Sequence, residues 1–152
     1  MTLHTEVVKV EEEKISSEKA KKFVLSEANG AESIFIGRVR NENSGKKVKA
    51  VTYDAHDKAV LKSFKLICDE AKNKFDKNAK VFLEHAKGYV LVGEISILIA
   101  VGSGHRDEAF KICRYILEEI KHKSPIWKKE HYIEGKEEWL PGHSLRPKQE
   151  VK

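Results

Sequence analysis

Sulfur, amide side chains and long apolar runs are all scarce in this chain. Of its 152 residues only Cys68 and Cys113 are cysteines, and methionine occurs only as Met1. With no CxxC pair and no Cys/His cluster, a disulfide scaffold is excluded and no zinc site is indicated; so few thiols suit a reducing compartment. Both cysteines fall inside helical apolar patterns and are expected as buried, reduced core residues. The longest apolar run, "ISILIAV" from Ile95, is too short to cross a bilayer. The opening "MTLHTEVVKVEEEK" lacks the apolar core of a secretory leader. A soluble cytoplasmic protein with no membrane partner is expected.

Charge is abundant and mixed. Asp, Glu, Lys and Arg make up 35% of the chain, with a formal net charge of +5. A basic balance fits an anionic partner, but lysine and glutamate are interleaved rather than segregated. Many Lys and Glu beside a single glutamine, Gln149, is also a bias of heat-adapted proteins. The apolar fraction of 40% is ordinary for a globular chain. No repeat, linker or low-complexity block interrupts residues 1–152, so a single domain is expected, with a flexible tail from about residue 141.

Periodicity gives the order β-α-β-β-α-β-β-α-β-β. "TEVVKV" reads as a short strand. "SSEKAKKFVLSEANG" reads as a helix capped by Ser16 or Ser17 and closed at Asn29-Gly30. "ESIFIGRVR" and "VKAVTYDA" read as strands around the turn-rich "NENSGKK". From Asp57 to about Phe75 apolar residues step by three and four, the mark of an amphipathic helix. Two strands follow around Gly88 and Gly93, the second apolar on both faces. A second long helix then buries Ala109, Ile112, Cys113, Ile116, Leu117 and Ile120, and two short strands turn at Gly135. The fold class expected is α+β: a mostly antiparallel sheet with two long packed helices and a small additional β subdomain.

Charge sits oddly in three places. In "GRVRNENSG", Arg38 and Arg40 are two apart on an expected strand and so share a face; a common anion would relieve their repulsion, unless the face is simply solvated. In "VGSGHRDEAF", His105 and Arg106 open a helix just after Gly104, where the macrodipole disfavours cations and free amides invite an anion. Asp107 and Glu108 offer the plainer explanation, charge offset. In "KHKSPIWKKEHY", Lys121 lies in the last turn of the long helix and Pro125 ends it. Ile126 and Trp127 are expected to anchor the returning strand, with Lys128 and Glu130 on one face and Trp127 and Lys129 on the other. Lys128 would then come back beside Lys121, where each ammonium disfavours its neighbour's charge and a usable acid, base or nucleophile results.

Taken together, "GRVRNENSG", "GYVLVGEISILIAVGSGHRDEAF" and "EEIKHKSPIWKKE" followed by "EGKEEWL" resemble the catalytic subunit family of molybdopterin synthase, from about Ser33 to Trp139. The resemblance implies a hammerhead-type α+β subunit that forms a homodimer and a heterotetramer with a small ubiquitin-like sulfur carrier ending in Gly-Gly. It implies sulfur transfer from the carrier's thiocarboxylate to cyclic pyranopterin monophosphate, with no metal or cofactor. By residue it implies Lys121 and Lys128 as catalytic lysines and Arg38, Val39 and Arg40 as a substrate-binding segment. His105 and Arg106 would contact the pterin phosphate across the dimer interface, and Lys128, Lys129 and Glu130 would form a further binding segment. The chain departs from the family pattern at "YDAHDKAV", at "EHAKG" and at Ile126, which bears on the pocket wall rather than on the proposed catalytic groups. A basic nucleic-acid-binding module and a non-catalytic carrier-binding homologue are the alternative readings.

Overall fold

The computed structural model describes residues 1–134 and the backbone of a last strand, Glu137–Trp139. The expected flexible tail from residue 141 lies outside the described residues. Along the chain run β1 (Leu3–Lys9), α1 (Ser17–Val24), β2 (Ala31–Arg38), β3 (Glu42–Asn43), β4 (Lys46–Ala55) and α2 (Asp57–Phe75). Then come β5 (Lys80–Leu91), β6 (Ile95–Ser103), α3 (Arg106–Lys123), β7 (Ile126–Tyr132) and β8 (Glu137–Trp139). The expected α+β order holds, with the two-residue β3 added.

All eight strands join one sheet in the order β2-β6-β5-β4-β7-β8, with β1 added beside β5 and β3 beside β4. Every pairing is antiparallel except β1 with β5. β5 is the spine: its first half lies between β1 and β6, and its second half pairs with β4. Gly88 marks the change of partner. Its φ of +113° and a virtual Cβ 2.7 Å from Glu11 Oε1 leave room only for glycine. β4, β7 and β8 continue from there as the smaller β subdomain.

Burial follows the apolar patterns. Val60, Phe64, Ile67, Cys68 and Ala71 of α2 meet a core that includes Ile112, Cys113, Ile116 and Ile120 of α3. Each such large side chain contributes about 1.5–3 kcal/mol relative to exposure. β6 is buried from Ser96 to Ser103, as expected of a covered central strand. On one face Phe82 of β5 packs against Phe23 of α1, ring centroids 5.9 Å apart. α3 lies along β6 and β2 and packs on α2. Both cysteines are buried and free, and burial pushes the Cys68 thiol up to about 12.

α1 is shorter than its sequence suggests. Ser16 caps it, its Oγ accepting from Lys19 N at 3.3 Å. The helix stops at Val24 because Leu25 is extended, and Asn29 Nδ2 donates back to the Val24 carbonyl at 3.3 Å. Asn29 therefore closes the helix through its side chain across a turn, not as a helical residue.

β1 is tied down by a polar cluster. Glu84, 2% exposed, lies 2.8 Å from His4 Nε2 and 3.3 Å from Lys19 Nζ. The Lys19 ammonium already fills the position a cation would take between Glu84 and Glu6, so His4, Glu6 and Glu84 form an ion-pair network joining β1, α1 and β5.

His85 is fully buried and stays neutral: burial lowers its pKa from 6.5 to about 4, partly opposed by its Nδ1–H donating to the Ala86 carbonyl at 2.8 Å. The unfolded chain therefore binds the extra proton first. The contribution of neutral His85 is fully present above pH 6.5 and is lost as pH falls through about 4. Its size is on the order of 3 kcal/mol. Urea unfolding at stepped pH should show that component in the wild-type chain and not in His85→Leu; parallel slopes for both would contradict it.

Candidate active site

α3 starts just after β6, separated from it only by Gly104 and His105, and packs back along β6 and β2. Its C-terminal end therefore returns toward the start of β6, where Arg38 pairs with Ile95. Ser124, buried, caps α3 and its hydroxyl lies 3.0 Å from Ser63 Oγ of α2. Ile126, 1% exposed, anchors β7 immediately after Pro125. Trp127, expected as a second anchor, is 36% exposed: it points away from the face that Ile126 buries.

β7 pairs with β4 so that Lys128 lies opposite Tyr53, Lys129 opposite Thr52 and Glu130 opposite Val51. Directly opposed residues share a face. Lys128 thus stands on the inner face with Ile126 and Glu130, and beside Tyr53, which is 8% exposed and meets the His85 ring edge-on at 5.0 Å. Tyr53 also hydrogen-bonds Ser96, whose hydroxyl donates to the Gly37 carbonyl at 3.2 Å. Burial pushes the Tyr53 phenol up, a shift its Ser96 hydrogen bond opposes and the Glu130 charge reinforces. Lys121 and Lys128 are both half-buried. Lys128, beside Tyr53 with His85 behind that ring, stands in a partly dry setting that suits proton transfer and anion stabilisation. Lys121 lies in the last turn of α3, shortly before it in the chain.

The remaining expected residues divide. Lys129 lies on the opposite face of β7, with His131, whose Nε2 is 2.7 Å from Thr52 Oγ1 and whose ring meets that of Tyr89 at 5.0 Å and a tilt of 54°. Glu130 is 4% exposed and accepts hydrogen bonds from Asn43 Nδ2 at 2.7 Å and Tyr132 Oη at 2.8 Å. Both bonds fall on the same carboxylate oxygen, Oε1.

Val39 is buried and Arg38 and Arg40 are exposed. β2 ends at Arg38 after a bulge between Gly37 and Arg38, but Val39 stays bonded to Glu94 and Gly93 through its backbone, so the two exposed arginines flank a buried Val39. Arg38 Nη1 donates to the Gly93 carbonyl at 2.8 Å and lines a cavity of about 490 Å³ with Lys14, Tyr89, Leu91 and Glu94.

At the other end of α3, His105 and Arg106 are exposed, and His105 makes no side-chain cap. An internal anion also lies at this turn. Asp76 accepts from Ser103 Oγ at 2.5 Å and from the Gly104 amide. Burial alone would raise the Asp76 pKa, but these bonds, one from the Asn78 amide and the Lys72 charge hold it below the usual range. Gly30 packs under this turn: a Cβ there would sit 2.7 Å from the Gly104 carbonyl.

Arg106 and Lys121 stand fifteen residues apart on one straight element. At 1.5 Å per residue that is about 22 Å, so one chain cannot direct both at one small molecule. A site using both must draw Arg106 from a second copy.

Residues 10–123 match the family described as MoaE protein. The chain belongs to the MoaE protein family. It is 40% identical over 126 residues to the molybdopterin synthase catalytic subunit of Synechococcus elongatus, covering 83% of this chain and 76% of that one. It is 38% identical over 130 residues to that of Pyrococcus abyssi, covering 86% of each. Its fold superposes on the crystal structure of molybdopterin synthase from Staphylococcus aureus with a TM-score of 0.81 at 33% identity, over 89% of this chain and 95% of that one. A complex of subunits 1 and 2 of molybdopterin-converting factor from Helicobacter pylori shares the fold at 21% identity and a TM-score of 0.73, over 92% of each chain.

The MoaE match includes Arg38, Arg40, His105, Arg106 and Lys121, while Lys128 lies just beyond its end. Two local contacts tie down the start of α2. His56 caps α2, Nδ1 accepting from Ala59 N at 3.3 Å, and Lys87 Nζ pairs with Asp57 at 2.9 Å. Sequence reasoning missed Tyr53, Ser96 and Asn43. Inward alternation of "VKAVTYDA" was the available signal for Tyr53; nothing in the sequence marks the partners of the other two. Removing the internal anion should be costly: Asp76→Ala is expected to lower stability by about 1–2 kcal/mol in denaturant unfolding. An unchanged midpoint would remove Asp76 from this role.

Proposed function

We propose that this chain is the catalytic subunit of a molybdopterin synthase and transfers sulfur from the thiocarboxylated C-terminus of a small ubiquitin-like carrier to cyclic pyranopterin monophosphate. The observation that carries the reading is the pair of half-buried lysines, one ending α3 and one on the inner face of β7, in a member of the MoaE family. The thiocarboxylate brings the sulfur nucleophile, so the protein needs no thiol, in keeping with two buried cysteines. Its own task is positioning, proton transfer and charge stabilisation.

Lys121 is the principal catalytic group, assisting sulfur transfer and hydrolysis of the acyl intermediate. Lys128 tunes Lys121 and holds substrate or the carrier terminus. Arg38 and Arg40 bind the anionic substrate from the same end of the subunit. The length of α3 supports supply of His105 and Arg106 by the partner in a homodimer, for the pterin phosphate, and two carriers then complete a heterotetramer. The described residues contain no helix long and apolar enough to cross a membrane, and the reaction is assigned to the cytoplasm. Neither nucleic acid nor a bound cofactor enters this scheme.

Lys121→Ala should cut product formation from thiocarboxylated carrier by about 100-fold or more at an unchanged melting temperature; near-wild-type output would end the assignment. Subunit mixing tests the shared site. Lys121→Ala and Arg106→Ala chains, each nearly inactive alone, should recover up to about a quarter of wild-type activity when co-refolded, because half the dimers are mixed and each carries one intact site. No recovery would place both residues in the same chain's site.

A further inference from the structure

Arg40 lies between β2 and the β3–β4 hairpin, two residues before Glu42, and that hairpin is built with local strain. Asn43 pairs with Lys46 around a two-residue turn in which Ser44 (φ +51°) and Gly45 (φ +80°) are both left-handed. That is the turn type whose twist suits a tight hairpin, but it is unfavourable for serine. A short, strained hairpin keeps its place only when something outside it holds it. Here the outside contact is a long-range one: the Asn43 amide donates to the Glu130 carboxylate at 2.7 Å, across 87 residues of chain. Glu130 is buried and stands two positions along β7 from Lys128, on the same inner face. A buried carboxylate keeps its hydrogen-bond partners strongly, because losing one exposes its full desolvation cost.

We propose that Asn43 is a positioning residue: its hydrogen bond to buried Glu130 fixes the hairpin that Arg40 leads into against the strand that carries Lys128. This rests on the roles given above to Arg40 and Lys128. Asn43 touches no substrate; it sets where the Arg40 guanidinium waits before substrate arrives. Binding then loses no energy to ordering the loop, and the effect falls on ground-state affinity rather than on the chemical step. The Tyr132 hydroxyl supplies an internal control, since it donates to the same Glu130 oxygen at 2.8 Å. Tyr132→Phe removes that bond while keeping the ring that lies under Lys46 Nζ at 5.1 Å.

The test is steady-state sulfur transfer with saturating thiocarboxylated carrier and varied cyclic pyranopterin monophosphate, alongside thermal unfolding. Asn43→Ala is expected to raise KM about tenfold with kcat within about threefold of wild type. Tyr132→Phe should lower the melting temperature while leaving KM at its wild-type value. A wild-type KM in Asn43→Ala, a loss confined to kcat, or an equal KM rise in Tyr132→Phe would each overturn the proposal. If the wild-type chain made no product at all, the functional reading itself would fail, an outcome distinct from these.

Discussion

The register of β4 between β5 and β7 is the constraint on which the candidate site depends. Tyr53 lies opposite Gly88 on one side and Lys128 on the other. Because side chains alternate with a period of two, a slip of one residue would turn Lys128 and Glu130 outward and Trp127 and Lys129 inward. Ile126, 1% exposed and opposite Ala55, opposes that slip with its full burial energy. Gly88 opposes it from the other side, since its left-handed backbone lets β5 leave β6 and take up β4 at one defined point.

A second constraint is the rigidity of α3. A helix of 18 residues is a rod about 27 Å long, and this one carries charged groups of interest at both ends. Its buried stripe, from Ala109 to Ile120, fixes its rotation on the sheet, so neither end can swing toward the other. Oligomerisation is then part of the chemistry wherever both ends are needed. The same rod explains why a single subunit looks incomplete: the lysine end has a polar buried wall, while the His105-Arg106 end is exposed.

Local features were legible in the sequence, and non-local partners were not. α2 and α3 could be read from periodicity because their buried stripes are set by residues three and four apart. The family could be read because "GRVR", "GHRDEAF" and "KHKSPIWKKE" keep their order and separation. Other contacts were set by partners the sequence does not mark. Asp76 takes the Ser103 hydroxyl and the Gly104 amide, and Glu130 accepts from Asn43 and Tyr132. In the Asp76 and Asn43 cases the decisive partner is at least 27 residues away in sequence. Composition and spacing carry no record of which distant donor will meet a carboxylate. α1 failed differently: Asn29 was correctly seen as a terminator, but it acts by side chain from beyond the turn.

The buried polar wall beside Lys128 has a further consequence for how the lysines operate. His85 is neutral across the physiological range because it is buried, and burial also disfavours ionisation of Tyr53. Neither group therefore adds positive charge beside Lys128 near neutral pH. A charged histidine behind Tyr53 would repel the Lys128 ammonium. A dry wall of neutral donors and acceptors strengthens whatever charge the substrate and lysines bring, because the local dielectric is low. Polar yet uncharged lining is therefore what lets cationic residues concentrate at this end of the subunit and still wait for an anion.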